Sequence, residues 1–322
     1  MSILFYAIRQ IYDEDIIVQV FQILIDAGAN INIQNDDGET ILMHALEEDY
    51  FEVARILLNA GADVNIKSNN GRTALMYSVI EGDDWILRMI LDAGADINSQ
   101  DNGENTALII CADRNRDGKI LKLLLINGAS INHQNDYGKN ALMHYVEGNN
   151  EEMSRTLLEA GADPDIKNID GKTALMYASK YDCKEVLQLL LINGADINAQ
   201  DNEGQTSLMY TINNDNEETF RILLESGADV NIRNSRGENS LTYAIIYGYI
   251  RIYHILSNVN AGEKREWRTE NYSYPERREG IVRMLLDAGV DMNANDNNGK
   301  SALMYAEEST HREFARILAA HK

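Results

Sequence analysis

Several short stretches of this 322-residue chain have the residue types of a ligand-binding or reactive motif. Gly171-Lys172-Thr173 and Gly299-Lys300-Ser301 match the end of a phosphate-binding loop, where glycine amides cradle phosphate and lysine neutralises it. The first glycine of that loop is missing, with Ile166 and Ala294 in its place, and no strand leads in. Asp113, Asn115 and Asp117, followed by Gly118 and Ile120, match the first half of a calcium loop. Its last position is Leu124 rather than a bidentate glutamate, so a plain Asx-Gly turn is expected. Six histidines (His44, His133, His144, His254, His311, His321) are dispersed without paired zinc spacing, and the pattern places no acid beside them. Cys111 replaces a small helix residue and is expected in the core, whereas Cys183 falls in a turn and is expected to be exposed. Asn271-Tyr272-Ser273 is a glycosylation sequon that matters only on secretion. No catalytic constellation emerges; no catalytic residue, metal or cofactor is predicted.

Composition narrows the partners. The net charge is −22, and residues 1–100 hold 17 acidic against 5 basic side chains. Such a field repels nucleic acid and anionic membrane and favours a basic partner. Two cysteines give no disulfide framework, which points to a reducing compartment and a cytoplasmic location. The N-terminal stretch has no basic start and its apolar run is broken by Arg9, Asp13, Glu14 and Asp15, so no signal peptide is read there.

What positions all these residues is a repeat. Leu-Leu-x-x-Gly-Ala endings, with Leu-Ile before Gly28 and Ile-Leu before Gly94, fall at Gly28, Gly61, Gly94, Gly128, Gly161, Gly194, Gly227 and, as Gly-Val, at Gly289, mostly 33 residues apart. Asn168–Gln200 shows one copy plainly. Thr173 stands where a helix N-cap belongs, and Thr40, Thr73, Thr106, Asn140, Thr206, Asn239 and Ser301 are its equivalents. Leu175 and Ala178 share one helix face, and a second helix near Lys184–Ile192 is apolar almost all round. Gly194 ends it in the left-handed conformation, and Asx residues build the following turn. One such unit cannot bury its own apolar face, so neighbours must stack.

The run Gly-x-Thr-Ala-Leu-Met-x-Ala, then Leu-Leu-x-x-Gly-Ala-Asp-x-Asn, closely resembles the ankyrin repeat. The resemblance implies an all-α solenoid of stacked helix-turn-helix units with projecting β-hairpin loops, and nine copies cover the chain as a single domain. Residues 1–34 form an N-terminal cap, 35–295 seven repeats, and 296–322 a C-terminal cap. Copy one carries five extra residues between its helices, and copy eight an insertion at about 249–279, with 263–279 expected as an exposed loop. Where the family has Pro-Leu-His after the cap, this chain has Ala-Leu-Met; the loss of that histidine bond predicts slightly looser joints between hairpin and helix. Tyr77, Tyr177, Tyr210, Tyr243 and Tyr305 recur at one repeat position, expected as packing.

The resemblance also implies where binding sits: hairpin tips and the ends of first helices, on a concave face. Those positions hold Asp36, Asp37, Glu39, Glu47, Glu48, Ile80, Glu81, Arg114, Tyr137, Ile169, Lys180, Tyr181, Arg236, Ile246 and Tyr247. Trp267, Tyr272 and Tyr274 in the insertion have the composition of binding hot spots. The expectation is a non-enzymatic, monomeric module that holds a protein partner, as an acidic inhibitor or immunity-type protein masking a basic site on a nuclease or toxin. The alternative is an assembly scaffold with several clients; the remote one is an enzyme or calcium module in the insertion or the Asp113 turn.

Overall fold

The computed structural model describes residues 3–11, 13–115, 118–213, 216–247, 274–308 and 312–320. Their contacts fall into two compact units, 1–163 and 164–322. Each is a stack of short helix pairs, and among the described residues the only β pairings are isolated bridges, Gln34 with Thr40 and Asn295 with Ser301. The all-helical repeat solenoid expected from the sequence is the fold.

In the first unit the helix Ile41–Glu47 packs on Phe51–Asn59 and on the next first helix, Ala74–Glu81. Leu42, Met43, Leu46, Leu57 and Leu75 are wholly buried in that seam. The second unit repeats the scheme, with Ala174–Tyr181 against Lys184–Ile192 and against Ser207–Asn213. Burying a Leu-sized side chain contributes about 2 kcal/mol, so a stack with several per copy holds helices that are individually too short to persist.

Expected caps form at most copies. Thr40, Thr106, Asn140, Thr206, Asn239 and Ser301 each accept a bond from the amide three residues on. Thr73 and Thr173 do not, and their Oγ1 atoms are buried without a hydrogen-bond partner. Cys183 is buried, not exposed, because it sits at the start of Lys184–Ile192 and turns inward. Burial pushes its thiol up to about 11, with Asp182 and Glu185 adding to the effect.

Hairpin tips are stitched to one another. Asn69 donates its backbone and side-chain N–H groups to the carbonyls of Asp37 and Asp36, and Asn102 does the same to Asn70 and Asn69. Beneath the tips, an Asx oxygen accepts the next copy's amide: Asn32 from Asp63, Asn65 from Asp96, and, in the second unit, Asn198 from Asp229. Asn231 accepts from Asp291 at 2.7 Å although 60 residues separate them.

At three copies a tyrosine hydroxyl ties the hairpin to the first helix that follows it. The recurrent tyrosines are buried as expected, apart from Tyr305. Tyr210 donates to Asp201 at 2.6 Å and Tyr305 to Asp296 at 2.5 Å, while Tyr177 accepts from Asn168 at 3.1 Å. All three links join a hairpin residue to the helix residue nine positions on.

At two length changes the second helix is longer than in the regular copies. The second helix of copy one runs thirteen residues, Glu14–Asp26, so its extra residues lengthen the helix rather than a loop. The second helix of copy eight is Tyr274–Asp287, so 274–279 are helical and not loop. It packs on Glu217–Glu225 and Arg312–Ala320, the place of an ordinary second helix. Residues 249–273, with Trp267 and Tyr272, lie outside the described residues, and so does Asp117 of the calcium-like turn.

Candidate partner-binding surfaces

In the first unit, the predicted positions of copies two and three form an acidic group. Asp36, Asp37, Glu47 and Glu48 are exposed, and Glu39 and Glu81 half-buried. Glu39 is oriented by the Tyr77 hydroxyl, which donates at 2.9 Å, and by Asn35 Nδ2 at 3.0 Å. Among the described residues no lysine or arginine pairs with any of the six. Partial burial raises the Glu47 carboxyl above its ordinary value, and Glu39, Glu48 and Glu81 add to this against the opposing pull of His44. Arg114 and Tyr137 are also exposed, and Ile80 is half-buried at its helix end.

Histidines sit beside acids after all. His44 Nδ1 lies 3.9 Å from Glu47 Oε2, one turn away on the same helix, and His144 Nδ1 lies 3.3 Å from Asp113. The second pairing crosses copies, which sequence spacing does not show; the first is a His-x-x-Glu spacing that was legible. Burial lowers the His144 pKa, with Lys139 adding and Asp113 and Glu147 opposing.

The second unit presents aromatic and basic side chains. Tyr181 stacks on Tyr177 with centroids 6.3 Å apart, and Lys180 Nζ lies 4.9 Å above the Tyr181 ring. Arg236 Nη1 donates to the Tyr247 hydroxyl at 2.7 Å, and the Tyr247 ring lies 4.2 Å from that of Tyr243. Ile246 is half-buried beside them and Ile169 stands 60% exposed on its hairpin. Tyr274 opens its helix, but its side chain, like Trp267 and Tyr272, is outside the described residues. The structure also exposes Ile23, Trp85, Ile126 and Ile192 on second helices. Lys184–Ile192 reads as apolar almost all round, which hid the outward position of Ile192; Ile126 and Ile192 share an Asn-Gly immediately after them.

Stacked helix pairs with bonded hairpins define a helical repeat protein. A family model for ankyrin repeats in three copies matches residues 4–101, 108–201 and 191–264, and a second ankyrin-repeat model matches 81–125. The chain belongs to the ankyrin repeat family. No curated protein matches it. Ankyrin repeats mediate protein–protein interaction, and this chain is a module of that kind; the family is typically non-catalytic. Among the described residues, no helix is long and apolar enough to cross a membrane.

Proposed function

We propose that the chain, acting as one ankyrin-repeat domain in the cytoplasm and as a monomer, captures a basic protein partner and masks its basic site. The observation that carries this is the acidic group of copies two and three, whose six carboxylates have no lysine or arginine counter-ion among the described residues. Residues 1–163 hold 27 acidic against 11 basic side chains, a net of −16 of the total −22. A partner that supplies the missing cations gains both steering and contact energy. Tyr181, Ile169 and the Arg236–Tyr247 pair supply aromatic and apolar anchors of the kind that dominate interface energies. In this reading the insertion, with Trp267 and Tyr272, also contributes to partner binding.

Affinity capture from the source organism at low and high salt, with mass spectrometry, tests this reading. One basic protein should be recovered by the native chain and lost on raising salt or on Glu47→Lys. Recovery indifferent to both changes would sink it. A second reading, a scaffold with several clients, is favoured by the different chemistry of the Arg236–Tyr247 cluster. Under that reading Tyr247→Ala removes some clients and leaves the salt-sensitive one in place.

A further inference from the structure

Copies two, five and nine share one local arrangement, in which the residue before the cap meets the residue eight positions on. In copy five these are Lys139 and Glu147, Nζ to Oε2 2.7 Å, and in copy nine Lys300 and Glu308, 2.6 Å. Copy two has glutamate at both positions, Glu39 and Glu47, so two carboxylates converge where the other copies hold an ion pair. His44 belongs to the same cluster. It is nine-tenths buried, and its Nδ1 atom is shielded from water with no hydrogen-bond partner. One donor atom from each of Glu39, His44 and Glu47 lies within 4.8 Å of the other two.

We propose that copy two binds a zinc-class divalent ion through Glu39, His44 and Glu47, the ion standing where copies five and nine place a lysine ammonium. An imidazole nitrogen with two carboxylates suits this class, whereas calcium and magnesium take all-oxygen sets. Donors about 2.1 Å from a tetrahedral ion lie about 3.4 Å apart. Inward movement of up to about 1.4 Å closes the set, and exposed Glu47 has freedom to move. The outer shell is in place, because Tyr77 and Asn35 each hold one oxygen of Glu39. Three protein donors leave a fourth position for water or an incoming side chain. Nothing in this depends on the identity of the protein partner.

Zinc chloride titrated into the full-length chain tests it, read by calorimetry and by the imidazole resonances of His44 and His144. The native chain should take up one zinc at micromolar concentration, with the His44 signals shifting and those of His144 unmoved. Glu39→Lys, which rebuilds the bridge of copy five, should weaken zinc at least tenfold while keeping the helical spectrum. Magnesium should give no heat. Equal zinc affinity in the native chain and Glu39→Lys, absence of zinc uptake by the native chain, or unshifted His44 resonances would each overturn the proposal.

Discussion

The hydroxyl of Tyr210 donates to Asp201 Oδ2 at 2.6 Å, tying a first helix to the hairpin that leads into it. Both residues are buried, Tyr210 against Met176 and Ala199, so the bond lies where water competes weakly. Tyr210→Phe should cost about 2 kcal/mol, the range for a bond to a charged acceptor, as measured by urea unfolding. Amide exchange should then accelerate over 201–205, while the hairpin at 168–172, held through Tyr177, stays protected.

The same tyrosines set the alkaline limit of stability. Burial, followed by the bond to Asp201, raises the Tyr210 pKa, and burial also raises that of Tyr243. The native state therefore keeps these protons after the unfolded chain begins to lose them near pH 10. Stability is intact below that pH and falls above it by about 1.4 kcal/mol per pH unit for each tyrosine. Chemical denaturation between pH 8 and 11 should show the decline, and Tyr210→Phe should lessen its slope.

Two glycines separate backbone strain from crowding. Gly61 and Gly71 both have φ of +81°, yet an added Cβ at Gly61 meets nothing within 4 Å, while at Gly71 it meets Asn102 Oδ1 at 2.5 Å and Asn102 N at 2.7 Å. Gly61→Ala should cost about 1 kcal/mol, the left-handed penalty alone. Gly71→Ala should cost clearly more, because it must push apart a pair of bonded hairpin tips. Copy four offers the converse. Its glycine is one place early, so Glu104 takes the left-handed position at φ +60°, and Glu104→Gly should raise the melting temperature.

Cap substitutions should divide the same way. Asn140→Ala removes the acceptor of the Met143 amide and should cost about 1 kcal/mol. Thr173→Val removes a buried hydroxyl that has no partner and should be neutral or stabilising. Equal losses at the two sites in thermal melts would contradict the difference in their bonding.

Cys183 should resist thiol reagents in the folded chain at pH 8, being buried with its pKa pushed up to about 11, and should react once urea opens the helix pair. Ellman's reagent follows this directly.

Periodicity made the helices legible, because Lys184–Ile192 is written in its leucines and Gly194 in its turn. Capping was legible as residue type but not as bonding, since Thr73 and Thr173 have the right side chain and no side-chain cap hydrogen bond. The tyrosine ties escaped because the family pattern draws the eye to what is lost, a histidine, and not to what stands four residues after the cap. Beside His44, Glu47 was legible from its spacing, but the placing of Glu39 escaped for a different reason. Tyr77 reaches Glu39 from 38 residues away, and the contrast with Lys139 appears only when copies are laid over one another.

The bond between Asn231 and Asp291 does not stand alone. Asn297 also reaches back to Ser235 and Arg236, and Asn239 to Asp291, so the hairpin ladder closes across copy eight in unbroken phase. Whatever the chain does between 248 and 273, the scaffold on either side keeps count as if nothing had been added. The phase of the ladder is set by those bonds and not by how many residues lie between the two helices of copy eight.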